Sequence, residues 1–185
     1  MTKTIKIAFD LDGVIVDKPP LIPKKLLEFL FRGKKKEDKL HYRFPKLKVE
    51  QYIRKLSHFY LFRPPIKENI NFIKQIAKDS KYEIYVVSAR YSFLKKETDL
   101  WLKKRGIKNL FKKIYLNFKD EQPHLFKERI LKEIGADIFI DDDELLVEYL
   151  SKRIKGDIYC FFPNGRLSSF GRQYSSLKKI FLTNF

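Results

Sequence analysis

The sequence predicts a three-layer α/β sandwich on a parallel five-stranded sheet, and two observations carry that prediction. Five short apolar runs rich in Ile, Val, Tyr and Phe lie at residues 5–9, 83–87, 113–116, 137–140 and 157–162. Helical patterns separate most of them. Short apolar runs without polar alternation read as strands buried on both faces, and parallel strands need a crossover helix between them. Strands alternating with helices therefore argue for a sheet covered on both sides.

The first run, Ile-Lys-Ile-Ala-Phe, leads straight into an acidic, glycine-containing turn. Residues 18–63 then break the rhythm, because that length is too great for an ordinary loop between a strand and its helix. The segment opens with Pro19, Pro20 and Pro23, continues through a basic helix-like stretch at 24–32 and a polar run at 33–39, carries a second helical pattern at 49–59, and closes at Pro64–Pro65. We read it as a small helical cap inserted into a core made of residues 1–17 and 64–185. Beyond it, residues 66–79 set Ile66, Ile70, Ile73 and Ala77 on one helical face. Residues 93–105 do the same with Leu94, Trp101 and Leu102 and stop at Gly106. Residues 126–134 follow with Ile130, Leu131 and Ile134 and stop at Gly135.

Composition narrows the class. With 44% apolar and 15% aromatic residues, the chain has the side-chain volume for one ordinary core. No apolar run reaches the length of a membrane span, and the N-terminal residues carry no signal-peptide pattern. The single cysteine, Cys160, forbids an internal disulfide, and a cytoplasmic setting is expected. The net charge of +17 attracts polyanions, so nucleic acid is a candidate partner. A Lys-rich composition spread along the whole chain gives the same number without any such function.

Candidate chemistry begins at the end of the first strand, in Phe9-Asp10-Leu11-Asp12-Gly13-Val14, with Asp17 close behind. Two carboxylates one residue apart at the carboxyl end of a strand sit where α/β folds build their sites. Such a pair repels itself unless a cation intervenes, which points to a hard divalent ion with oxygen ligands, Mg²⁺ above all. A carboxylate can also attack phosphorus and form an aspartyl-phosphate. His41, His58 and His124 lack any metal-ligand spacing, and Trp101 and Cys160 read as core.

Residues 9–17, FDLDGVIVD, resemble the first motif of the haloacid dehalogenase superfamily, and three further segments fall in that family's order. Val86-Val87-Ser88-Ala89-Arg90 is similar to its second motif, and Thr98, Trp101, Leu102 and Gly106-Ile107 look like the following helix of nucleotidase-like members. Lys127 stands where the third-motif lysine would be, and Asp141-Asp142-Asp143 resembles the acidic fourth motif. The resemblance implies a Rossmann-like sheet in strand order 5-4-1-2-3 and a Mg²⁺-dependent phosphohydrolase. It implies Asp10 as nucleophile, Asp12 as general acid then base and as a metal ligand through its carbonyl, and Ser88, Ala89, Arg90 and Lys127 around the phosphoryl oxygens. Asp142 or Asp141 would complete the metal shell. Lys132 competes with Lys127 but lies more than a helical turn further from the expected site. Arg90 either clamps phosphate or faces solvent, and Asp143 and Asp17 read as supporting or capping residues. The nucleotidase-like features point to a nucleoside monophosphate or similar small metabolite. Tyr42, Phe44, Phe59 and Tyr60 are either base-stacking groups or core. A phosphatase of nucleic-acid ends and a catalytically silent binding domain are the competing readings.

Overall fold

A computed structural model describes residues 4–19, 40–162 and 173–184. Pro20, Pro23, the basic stretch at 24–32 and the polar run at 33–39 with Lys34–Lys36 lie outside these residues. Strands β1 (Ile5–Phe9), β2 (Tyr82–Tyr91), β3 (Lys113–Asn117), β4 (Ile138–Asp141), β5 (Asp157–Phe161) and β6 (Gln173–Tyr174) form one sheet in the order β3-β2-β1-β4-β5-β6. Every pairing is parallel. The five expected strands are present in the expected order. The two-residue β6 at the edge is an addition, too short for any periodicity to announce.

Helices α1 (Lys48–Ser57), α2 (Lys67–Ile76), α3 (Lys95–Lys104), α4 (Pro123–Ile134), α5 (Glu144–Ser151) and α6 (Leu177–Asn184) complete the described elements, with single 3₁₀ turns at Ser92–Leu94 and Lys108–Leu110. Strand alternation divides the core. Ile7, Phe9, Ile138 and Ile140 point to the side covered by α2, α3 and α6, where Ile73, Trp101 and Ile180 are fully buried. Ala8 and Phe139 point to the other side and pack with Phe126, Ile130 and Leu131 of α4 and Val147 and Leu150 of α5. Cys160 is buried among the second group, and burial pushes its thiol well above the usual range, as suits a core residue.

Two boundaries differ from the sequence reading. Helix α4 begins at Pro123, three residues earlier than its apolar pattern starts, because proline fits the first helical position. Strand β2 runs on through Tyr91, so Ser88 lies within a strand rather than at a helix start; its register against β3 becomes irregular between Ser88 and Tyr91.

The long segment between β1 and α2 leaves and re-enters the core at one place. Val16 bridges Pro65 in antiparallel fashion, Asp17 N–H donates to Pro64 O at 2.8 Å, and Ile66 N–H donates to Ile15 O at 3.0 Å. Asn69 at the start of α2, buried, donates from Nδ2 to Val14 O at 2.7 Å and fixes the same turn. On the far side, Tyr42 N–H donates to Gln122 Oε1 at 3.0 Å and Tyr42 Oη to Asp143 Oδ2 at 2.7 Å, holding residues 40–44 over the sheet's carboxyl rim.

Candidate active site

The carboxyl ends of the strands bring the predicted residues to one rim. Asp10 follows β1 directly, Ser88, Ala89 and Arg90 lie near the carboxyl end of β2, which ends at Tyr91, and Asp141 ends β4. All of them line a single cavity of about 430 Å³, together with Asp12, Gly13, Lys127, Asp142 and Asp143. Lys127 comes from the second turn of α4, not its first, and reaches up to donate to Asp10 Oδ1 and to Asp141 Oδ2, each at 2.7 Å. Lys132 instead points to solvent and pairs with Glu128 at 2.6 Å.

Charge within this cluster is unbalanced. Asp10, Asp141 and Lys127 are each buried, so one ammonium faces two carboxylates. Burial alone would lower Lys127, but the attraction of Asp10 and then Asp141 outweighs it and holds the ammonium firmly charged. Burial, followed by mutual repulsion, raises Asp10; burial also raises Asp141. Asp142 is pushed up to about 6 by burial, against the opposing pull of Lys18 at 3.2 Å.

One carboxylate oxygen from each of Asp10, Asp141 and Asp142 lies within 4.8 Å of the others. An all-oxygen, surplus-negative donor set of this kind suits a hard cation such as Mg²⁺. Both Asp141 and Asp142 therefore sit at the candidate metal position. Gly13 makes room for this: its φ is +79°, and a Cβ there would lie 2.1 Å from the Asp142 carboxyl group. We expect Gly13→Ala to combine left-handed backbone strain of about 1–2 kcal/mol with displacement of Asp142. Calorimetric titration with Mg²⁺ checks this, since strain alone would lower the melting temperature and leave metal affinity intact.

Asp12 faces the other way. Arg90 grips it as a fork, Nε to Oδ2 and Nη2 to Oδ1 at 2.7 Å each, and Arg63 Nη2 also contacts Oδ1. Burial pushes its carboxyl up, but Arg90 and Arg63 overwhelm that and hold it far below the usual range. Arg90 is thus buried rather than solvent-facing, and its Nη1 donates to Thr98 Oγ1 at 3.0 Å. Ser88, buried, accepts the Arg90 N–H at 3.4 Å. Asp143 caps α5 by accepting from Leu146 N–H, and Asp17 accepts from Lys18 N–H.

Several residues of this site carry no signal in the sequence. Arg54, His58 and Arg63, all buried, line the cavity from the stretch between β1 and α2, as does Lys18. Of the four aromatics considered for base stacking, only Tyr42 lines the cavity. Phe44 packs edge-on against Tyr91, and Phe59 packs on Tyr60. His58 has its proton affinity pushed down to about 3, by burial first and then by Arg90. Between pH 6.5 and 3 the unfolded chain therefore binds a proton that the folded chain refuses, and stability falls with pH by about 1.4 kcal/mol per unit from this group. We expect His58→Gln to give a shallower loss of urea midpoint between pH 7 and 4.5; an unchanged slope would refute that origin.

No protein-family model matches the chain, and no curated protein is matched by it. Solved structures do match. A HAD phosphatase from Thermococcus onnurineus superposes with a TM-score of 0.63 at 16% identity, over 97% of each chain. The putative HAD-hydrolase YfnB from Bacillus subtilis, bound to magnesium, gives 0.63 at 13% over 98% of each. A HAD family enzyme from Bacteroides thetaiotaomicron, in complex with magnesium and inorganic phosphate, gives 0.55 at 14% over 90% of this chain and 98% of the other. On these superpositions, this chain has the fold of the haloacid dehalogenase-like hydrolases.

Proposed function

We propose that the protein is a Mg²⁺-dependent phosphomonoester hydrolase that forms an aspartyl-phosphate on Asp10 and acts on nucleoside monophosphates or similar small phosphorylated metabolites in the cytoplasm. The observation that carries this reading is the position of Asp10, with Asp141 and Asp142 beside it and Lys127 bonded to both Asp10 and Asp141. Bound there by the three aspartates and the Asp12 carbonyl, Mg²⁺ would neutralise phosphoryl charge. Asp10 attacks phosphorus, while Lys127 and the Ser88 hydroxyl, with the backbone of Ala89, hold the phosphoryl oxygens. Asp12, ionised between two guanidinium groups, is set to take the proton of the attacking water in the second half-reaction. To donate a proton to the leaving group in the first, Asp12 must beforehand take one up from solvent, which requires Arg90 and Arg63 to turn from it toward the substrate.

Phosphate release from nucleoside monophosphates and p-nitrophenyl phosphate, with Mg²⁺ and with chelator, tests the reading; absence of turnover with every phosphomonoester would overturn it. Because Asp142 must be ionised to bind the cation, Mg²⁺ affinity should drop below about pH 6, approaching about tenfold per unit. The +17 charge supports a second reading, a phosphatase of nucleic-acid ends, and predicts oligonucleotide binding that weakens steeply with salt. A silent binding domain is disfavoured, since three buried charges kept without use would cost stability.

A further inference from the structure

Beside the acidic cluster, part of the cavity wall is cationic. Arg63 and Arg90, both buried, share the single carboxylate of Asp12, so two guanidinium groups converge on one anion. The Nε of Arg63 is buried with no hydrogen-bond partner among the described residues. Arg54 and His58 complete this wall, and Arg43 at its edge is already paired with Glu50 at 2.7 Å. Asp142 and Asp17 act on Arg63 only at longer range, and Asp142 belongs to the candidate metal group. Crowded cations in a buried wall repel one another unless an anion joins them, and a guanidinium fork matches phosphate oxygens in geometry as well as charge.

The transferring phosphoryl group is already served by Lys127, Ser88 and the acidic cluster, which line the same cavity. We propose that the Arg54–His58–Arg63 wall is a subsite for a second phosphate group carried by the substrate, beside the one that Asp10 accepts. This rests on the reading of Asp10 as phosphoryl acceptor and makes a substrate with a second phosphate the preferred one over its monophosphate. Arg63 and Arg54 are its specificity residues, and Arg90 shares Asp12 with Arg63. When the second phosphate enters, it competes with Asp12 for Arg63.

The discriminating measurement is kcat/KM for a nucleoside 3′,5′-bisphosphate, the matched monophosphates and a terminally phosphorylated dinucleotide, in the wild type and in Arg63→Met, Arg54→Met and Arg63→Lys. We expect the wild type to prefer a doubly charged substrate over its monophosphate by roughly tenfold to a hundredfold, chiefly through KM. In both Met variants that ratio should collapse to within about threefold, whatever the absolute rate, and Arg63→Lys should restore part of it. Preference for the dinucleotide over the bisphosphate supports the subsite and assigns the second phosphate to a nucleic-acid end; the opposite order assigns it to a small metabolite. Equal kcat/KM for mono- and doubly charged substrates, with normal turnover, overturns the subsite and leaves Asp10 as acceptor. No turnover of any of them overturns both.

Discussion

Asp10→Asn should abolish Mg²⁺-dependent phosphate release, by about 10⁴-fold or more, without lowering the melting temperature. The loss follows from removing the attacking oxygen, for which nearby groups cannot substitute. The preserved stability follows from the charge count at the rim. With Asp10 ionised, Lys127 faces two buried carboxylates; with Asn at the same place and nearly the same shape, one ammonium faces one carboxylate. A buried surplus charge is relieved, so the variant should melt at the wild-type temperature or above it. A variant that loses both activity and several degrees of melting temperature would show that Asp10 serves the fold, and the proposed role would fail.

Lys127→Met should do the opposite and damage both properties. It leaves Asp10 and Asp141 buried, close together and without a cation, at a cost of about 3–5 kcal/mol. The pH dependence gives the cause away. Carboxylates raised by burial lose their penalty when protonated, so the variant's deficit should be smallest in acid and grow as pH rises through their elevated titration range. Saturating Mg²⁺ should recover part of the deficit at neutral pH, since it replaces the missing positive charge. Chemical denaturation at pH 5 and pH 8, with and without Mg²⁺, reads all three effects; a deficit independent of pH would mean that lost packing, not charge, is responsible.

The parts of this molecule legible in the sequence are those set by short-range rules. Short, largely apolar runs mark β1 to β5, and Gly106 and Gly135 mark where α3 and α4 stop. Asp10, Ser88, Asp141 and Asp142 could be picked out because each stands near the carboxyl end of a strand, and Lys127 because it stands near the start of a helix that follows one; parallel strands deliver their carboxyl ends to one rim. What stayed hidden depends on side chains meeting from distant segments. Arg63 looks like an ordinary basic residue before two prolines, yet it meets Asp12 fifty-one positions away. Arg90 could not be assigned because nothing local reveals that Asp12 and Thr98 receive its guanidinium. The start of α4 was misjudged since its first turn carries no apolar period, only a proline at the entry position.

The bridge between Val16 and Pro65 has a consequence for how such a chain can change. Because the core itself ties the two ends of residues 18–63 together, the sheet is indifferent to how much polypeptide hangs between them. Doubling that length adds only about 0.6 kcal/mol of closure entropy. Insertions, deletions or wholesale exchange of this stretch can therefore be tolerated as grafts onto a finished scaffold. Among the residues that a graft must resupply is Arg63, whose carbonyl accepts from Trp101 Nε1 at 2.7 Å and whose guanidinium reaches Asp12.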